Sequence, residues 1–333
     1  MDSTRLILFI FFSILFCTCE DNTKLNSLTG SALGTSLNIM HDAKIDNNNL
    51  KLEIDSLLMK INKSMSTYQL DSDISKINAG LKIKVDSFFI DVFRKSSEVW
   101  KLTNGAFDPT VGALVNAYGF GPDIKNIKEL SDFQLDSLLN ITGWNKISLN
   151  KEGFLLKSNI NITLDFNAIA KGYTVDLISK YLESIGAKNY LIEIGGEILA
   201  KGNSPVRNEP WKIGIDSPES NLFKRNIYST YSLKNRALAT SGNYRHFRIN
   251  KKNGKKYVHT IDPRSGYPIE SKILSASVTA SDCVTADAWA TSLMILPLQD
   301  GKILIENNSD LEALWIISNE EGLESVYSSG WKK

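Results

Sequence analysis

KGYTVDLISKYLESIGAKNYLIEIGGEILA, residues 171–200, is the stretch that bears most on the fold. Val175, Ile178, Leu182 and Ile185 recur at helical spacing and Gly186 stands where a helix would stop, so 171–185 reads as a helix. Residues 190–194, the pair Gly195-Gly196 and residues 197–200 follow as two strands around a tight turn. Outward from this core, apolar residues at 50, 54, 57, 58 and 61 predict a helix over 50–65, and a second is predicted over 87–102, ending towards Asn104-Gly105. ALGTSLNIM (32–40), 211–215, 227–233 and 273–279 read as strands. Helices and strands mix without a βαβ rhythm, which favours an α+β fold with a mixed sheet over a doubly wound one.

The 333 residues suffice for one large domain or two modest ones. Hydrophobic residues at 42% and charged residues at 23% suit a soluble globular protein. A net charge of +1 with no basic, aromatic-laced block argues against nucleic acid as a partner. The N-terminus departs from this composition. Arg5 precedes an apolar run, 6–16, broken only by Ser13 and followed by Cys17-Thr18-Cys19. That run is too short to span a bilayer and has the length of a signal-peptide core. A cysteine directly after it points to lipoprotein processing, with Cys19 preferred because Thr18 precedes it and polar residues follow. The expected organisation is a signal peptide over 1–19, a polar tether over 20–30 and one folded domain over 31–333, exported and lipid-anchored at the cell membrane. Only Cys283 falls in that body, so no intrachain disulfide is available, and a buried apolar role is expected of it.

Four segments carry chemistry. In TADAWATSLMIL (285–296), Asp287 and Thr291 are four apart on a predicted helix and share a face; oxygen donors of this kind suit Mg²⁺ or Ca²⁺. Alone, Asp287 reads sooner as a first-turn acid favoured by the helix dipole than as a ligand, and Asp282 is a further ligand or a cap. In LDFNAIAKGYTVD (164–176), Asp165 ends an apolar strand (Ile160, Ile162, Leu164) and Lys171-Gly172 opens a helix, whose free amides and lysine suit an anion approaching past Gly172. GAFDPTVGALVNAYGFGP (105–122) reads as a glycine-rich loop whose Phe107, Tyr118 and Phe120 either stack on a planar ring or fill the core; Tyr68 poses the same choice. In HTIDPRSGYPIE (259–270), His259 ends a strand before a turn; alone it reads as a structural histidine bonded to the backbone, and beside a pyrophosphate-and-metal site as an acid, base or phosphate donor. His41 and His246 have no such company.

Taken in order, LGT (33–35), MSTY (65–68), AFDPTVG, AIAKGY, IGGEI, TSGNYR, HTIDPRSG and ADAWAT make the chain resemble the ApbE family of FAD:protein FMN transferases. The resemblance runs from Leu33 to about Leu296 and implies a cleft for FAD with Mg²⁺ at its pyrophosphate. It implies Asp287 and Thr291 as side-chain metal ligands and Ala168 as a carbonyl ligand. Leu33 (where Met is usual), Tyr68, Ala106, Phe107, Asp108, Asp165, Lys171 and His259 fall at FAD-contact positions, with His259 and Asp287 catalytic. The implied reaction is attack by a threonine hydroxyl of an acceptor flavoprotein on the FMN-side phosphorus, releasing AMP. His259 then either deprotonates the threonine or orients the phosphate. The alternatives are an FAD pyrophosphatase using water, and a non-catalytic flavin-binding lipoprotein.

Overall fold

In a computed structural model, which describes residues 25–121, 130–220, 226–243, 247–249 and 256–332, the chain opens as a hairpin of β1 (Asn26–Ala32) and β2 (Thr35–His41). Leu33 and Gly34 turn it with φ of 48° and 78°, the left-handed pair that a two-residue hairpin turn demands. The segment predicted as one strand is therefore two. The folded body also begins by Asn26 and not at Ser31, because residues assigned to the tether ladder against β2 from Asn26↔His41 to Ala32↔Thr35. The expected signal peptide and Cys19 lie outside the described residues.

Three helices follow: α1 (Asn47–Met65), α2 (Asp73–Asn78) and α3 (Ser87–Leu102). Their first turns are capped by the side chains of Asp46, Ser72 and Asp86. Asn104 and Gly105 end α3 in the left-handed conformation, as the sequence predicts. The glycine-rich 105–121 stretch is less of a loop than expected: it holds a 3₁₀ turn at 109–111 and α4 (Gly112–Ala117). Next come α5 (Asp132–Asn140), the short strands β3 (Ile147–Leu149) and β4 (Leu155–Lys157), and α6 (Ala170–Ser184). Then follow β5 (Tyr190–Ile194), β6 (Glu197–Lys201), β7 (Trp211–Asp216), β8 (Ile227–Leu233) and β9 (Arg236–Gly242). The chain closes with β10 (Phe247–Ile249), β11 (Lys256–Val258), β12 (Ile273–Ala280), α7 (Cys283–Ile295), α8 (Leu298–Glu306), β13 (Glu312–Asn319) and β14 (Gly322–Tyr327).

An eight-stranded sheet in the order β1-β2-β5-β6-β9-β12-β13-β14 is the frame, and each neighbouring pair is antiparallel. This is an α+β architecture. One face of the sheet packs under the helices; the other, with Leu191, Ile198, Leu314 and Ile316, packs under the β7–β8 hairpin through Trp211, Ile213 and Tyr231. Both faces are buried, so the central strands carry apolar residues at most positions. α7 is buried on nearly every side, which is why its sequence shows no amphipathic stripe.

Residues 158–169 do not form the apolar strand expected before Asp165. The Asn78 side chain takes the place of a neighbouring strand: it donates to the Leu164 carbonyl and accepts from the Leu164 N–H, at 2.9 and 2.8 Å. Lys157 Nζ donates to the carbonyls of Ile77, Ile160 and Ile162. With its polar backbone satisfied by side chains, the segment stays irregular while Ile162 and Leu164 remain buried.

Candidate active site

One end of the sheet gathers the relevant turns. The register sets Leu37 opposite Ile194, Ile194 opposite Glu197, and Gly242 opposite Ser275. The Leu33-Gly34 turn, the Gly195-Gly196 turn and the last residues of β9 thus lie along that end. The first two touch: Gly195 N–H donates to the Ser36 carbonyl, and a Cβ on Gly195 would fall 2.5 Å from Thr35 Cγ2. Leu33 itself is half-buried against the core, a non-glycine residue in a backbone region that disfavours it.

The first turn of α6 meets this end. Lys171 Nζ lies 3.0 Å from Glu197 Oε1 and 3.7 Å from Asp287 Oδ1. Glu197 and Asp287 are 3% and 2% exposed. Burial alone would lower the lysine's pKa, but the Asp287 and Glu197 carboxylates outweigh it and hold the ammonium above its usual range. Burial raises the Glu197 carboxyl above its usual value against the pull of Lys171. The sequence reading assigned Glu197 no role. Its signal was an acid at the head of an otherwise apolar strand, directly after two glycines.

Asp287 is placed by a crossing of α6 and α7. Gly172 N–H donates to Asp287 Oδ2 at 2.9 Å. In a regular helix that amide would close on the Ala168 carbonyl four residues back, so Ala168 is not committed to that bond. A Cβ on Gly172 would lie 2.3 Å from the Cys283 carbonyl oxygen and 2.8 Å from Asp287 Cβ. The glycine is needed for helix contact and not for ligand approach, which corrects the sequence reading. Asp176, one turn along α6, caps α7 by accepting from Cys283 N–H and Val284 N–H, both at 2.8 Å. Asp282 is a cap as well, accepting from Thr285 N–H at 2.8 Å. Cys283 is fully buried, as expected, and burial raises its thiol well above the usual value.

Thr291 stands one turn beyond Asp287, and its hydroxyl lies 3.2 Å from Ser241 Oγ at the end of β9. Asn243, two residues on, accepts from Thr260 Oγ1 at 2.6 Å. That bond ties the His259 segment to the strand facing Thr291. His259 follows β11 and meets the Phe120 ring edge-on at 6.3 Å between centroids. No cluster of three or more His, Cys, Asp or Glu suited to a metal occurs among the described residues. Asp287 and Thr291 instead put a carboxylate and a hydroxyl one turn apart on α7, oxygen donors of the kind that suit a hard cation.

Tyr68 and Asp165 share a cleft of about 340 Å³ with Thr67, Asn78, Asn116 and Thr163. Tyr68 is 65% exposed as a residue, but partial desolvation where it meets the cleft, with the Asp165 carboxylate second, raises the pKa of its phenol. Burial likewise raises the Asp165 carboxyl, which accepts from the Asn167 N–H. The hydroxyls of Thr67 and Thr163 are buried without a hydrogen-bond partner. The side chains of Ala106, Phe107 and Asp108 are used elsewhere. Ala106 and Phe107 are in the core, so Phe107 does not offer its ring for stacking. Asp108 accepts from Thr110 N–H and Oγ1 through one oxygen and from Trp144 N–H through the other. Burial raises its carboxyl even so. Tyr118 is also core. The order of these segments still holds: Asp165 N–H donates to the Pro109 carbonyl at 2.8 Å, joining the AFDP turn to the loop that leads into α6.

Residues 33–315 match the ApbE family. This chain belongs to it. Among relatives, the FAD:protein FMN transferase of Haemophilus influenzae is 34% identical, over 98% of this chain and 96% of that one. The FAD:protein FMN transferase of Vibrio cholerae is 35% identical, over 96% and 95%. Two solved structures share the fold. The flavin transferase ApbE from Vibrio cholerae superposes with a TM-score of 0.82 at 34% identity, covering 92% of this chain and 97% of that one. The Pseudomonas stutzeri flavinyl transferase ApbE, in its apo form, gives a TM-score of 0.82 at 30% identity, covering 92% and 95%.

Proposed function

We propose that this ApbE-family chain is an FAD:protein FMN transferase: a threonine hydroxyl of an acceptor flavoprotein attacks the FMN-side phosphorus of FAD, and AMP leaves. The observation that carries this reading is Lys171 set against the buried carboxylates of Glu197 and Asp287 at the α6–α7 crossing, with Thr291 one turn away. Phosphoryl transfer asks for charge neutralisation and positioning more than for covalent catalysis. The cluster supplies a fixed ammonium beside a carboxylate. Asp287, Thr291 and the Ala168 carbonyl would hold Mg²⁺, which supplies Lewis-acid stabilisation of phosphate charge. Lys171 would face the phosphate oxygens. Leu33, Tyr68, Asp165 and the backbone of 106–108 would position the flavin nucleotide. His259, tied through Thr260 and Asn243 to the strand facing Thr291, would act on the incoming hydroxyl or orient the phosphate. The apolar leader followed by Cys19 supports export and a lipid anchor, placing the domain at the membrane facing the periplasm or cell exterior, beside membrane or exported redox subunits.

The test is to mix the protein with FAD, Mg²⁺ and an acceptor domain of proven competence, then read the acceptor's intact mass and the AMP released. An FMN-sized mass gain with AMP supports transfer. AMP and free FMN with an unmodified acceptor would make the protein a pyrophosphatase; intact bound FAD would make it a flavin-binding lipoprotein.

A further inference from the structure

Lys171 has two carboxylates within reach and sits closer to one of them. Its Nζ is 3.0 Å from Glu197 Oε1, within hydrogen-bond range, and 3.7 Å from Asp287 Oδ1, beyond it. Both acids are almost wholly buried, and Lys171 is the cation set beside each of them. Asp287 Oδ2 is already occupied by the Gly172 N–H. Oδ1 is therefore the oxygen for which a cation and the lysine would compete. Glu197 opens β6 and pairs with Ile194 across the Gly195-Gly196 turn, and its second oxygen, Oε2, is buried without a hydrogen-bond partner, so its hold on Lys171 is the use its side chain has here.

We propose that Glu197 is a positioning residue that holds Lys171 off Asp287 and so keeps Asp287 Oδ1 open to a divalent cation. This rests on the reading of Asp287 as a metal ligand. Without the Glu197 charge, the ammonium has one buried carboxylate left and closes on it; a charge-assisted bond at Oδ1 must then be broken before a cation can bind there. Glu197 thus acts through Lys171 on the metal site, although it is not itself a ligand.

The experiment is Mn²⁺ binding to the purified full chain without FAD, followed by the EPR signal of free Mn²⁺. The variants are Glu197→Gln, Lys171→Met and the two combined. Glu197→Gln is expected to raise the Mn²⁺ Kd about tenfold, the order of one repositioned charged hydrogen bond. Lys171→Met is expected to tighten binding severalfold more in the Glu197→Gln background than in the wild type, because only there does the lysine sit on Asp287. If the two effects simply multiply, Glu197 contributes only a distant negative charge and the proposal fails. An unchanged Kd in Glu197→Gln also overturns it. Should that variant not fold, Glu197→Asp keeps the charge but withdraws it by one methylene, and it is expected to weaken Mn²⁺ binding in the same direction; unchanged binding there overturns the proposal. Binding abolished by Asp287→Ala but indifferent to Glu197 removes this inference alone. Binding indifferent to Asp287→Ala removes the metal reading and this inference together.

Discussion

Gly172→Ala separates two opposed expectations. Helix propensity favours alanine by up to about 1 kcal/mol, and nothing in the backbone of this α6 residue requires glycine. Packing opposes it. The new methyl carbon would lie 2.3 Å from the Cys283 carbonyl oxygen and 2.8 Å from Asp287 Cβ. Backbone on α7 cannot rotate away, so the helices must part by about 1 Å to restore an ordinary contact of roughly 3.5 Å. Overpacking of this kind costs about 1–3 kcal/mol, enough to outweigh the propensity gain. The same shift stretches the bond from Gly172 N–H to Asp287 and carries Asp287 away from Lys171. A displacement of that size at a reacting centre costs on the order of a hundredfold in rate. The assay pairs urea unfolding with the kcat of FMN transfer at saturating FAD. A lower unfolding midpoint and a much reduced kcat are expected. A variant more stable than wild type with normal turnover would refute the argument that the crossing sets the site.

Asp287→Ala should remove about 4 kcal/mol of transition-state stabilisation, close to a thousandfold in kcat/KM; EDTA should stop the wild-type reaction and Mg²⁺ restore it, and turnover that ignores both would remove the metal from the mechanism. His259→Ala should slow transfer while leaving FAD affinity intact; lost affinity with normal turnover at saturation would make His259 a binding residue instead. Burial lowers the pKa of His41, a fully buried residue of β2, so the folded state resists protonation that the unfolded chain accepts near pH 6.5. The unfolded state then binds more protons as pH falls below that value, and stability drops. Urea midpoints at pH 7 and pH 5 should therefore differ less in His41→Phe than in wild type; equal differences would clear His41 of any part in acid sensitivity.

Elements with a strong period were legible from the residues. The helical stripe of 171–185 and the strands around Gly195-Gly196 stand almost where the residues put them, because the helix buries one stripe against the sheet and the strands are apolar runs buried on both faces. Residues 158–165 misled for a physical reason: alternating Ile160, Ile162 and Leu164 imitate a strand, but the ladder partner is the side chain of Asn78, which leaves no periodic trace. Gly172 was read as room for a ligand because sequence shows the missing side chain and not the helix that fills the space. Phe107 and Asp108 looked like contact residues, yet one packs into the core and the other closes a 3₁₀ turn. Glu197 passed unnoticed since a single acid at a strand's start is ordinary until its 3.0 Å bond to Lys171 is seen.

The α6–α7 crossing also places the lone cysteine of the body at its tightest point. Cys283 is fully buried, caps against Asp176, and presents to Gly172 the carbonyl that forbids a larger residue there. A thiol so enclosed reacts only when the helices come apart, and its raised pKa slows it further. Its alkylation rate is therefore a built-in gauge of how often this joint opens, readable by mass at Cys283 without any added label. Bound nucleotide or cation that tightens the joint would register as protection of a residue that touches neither.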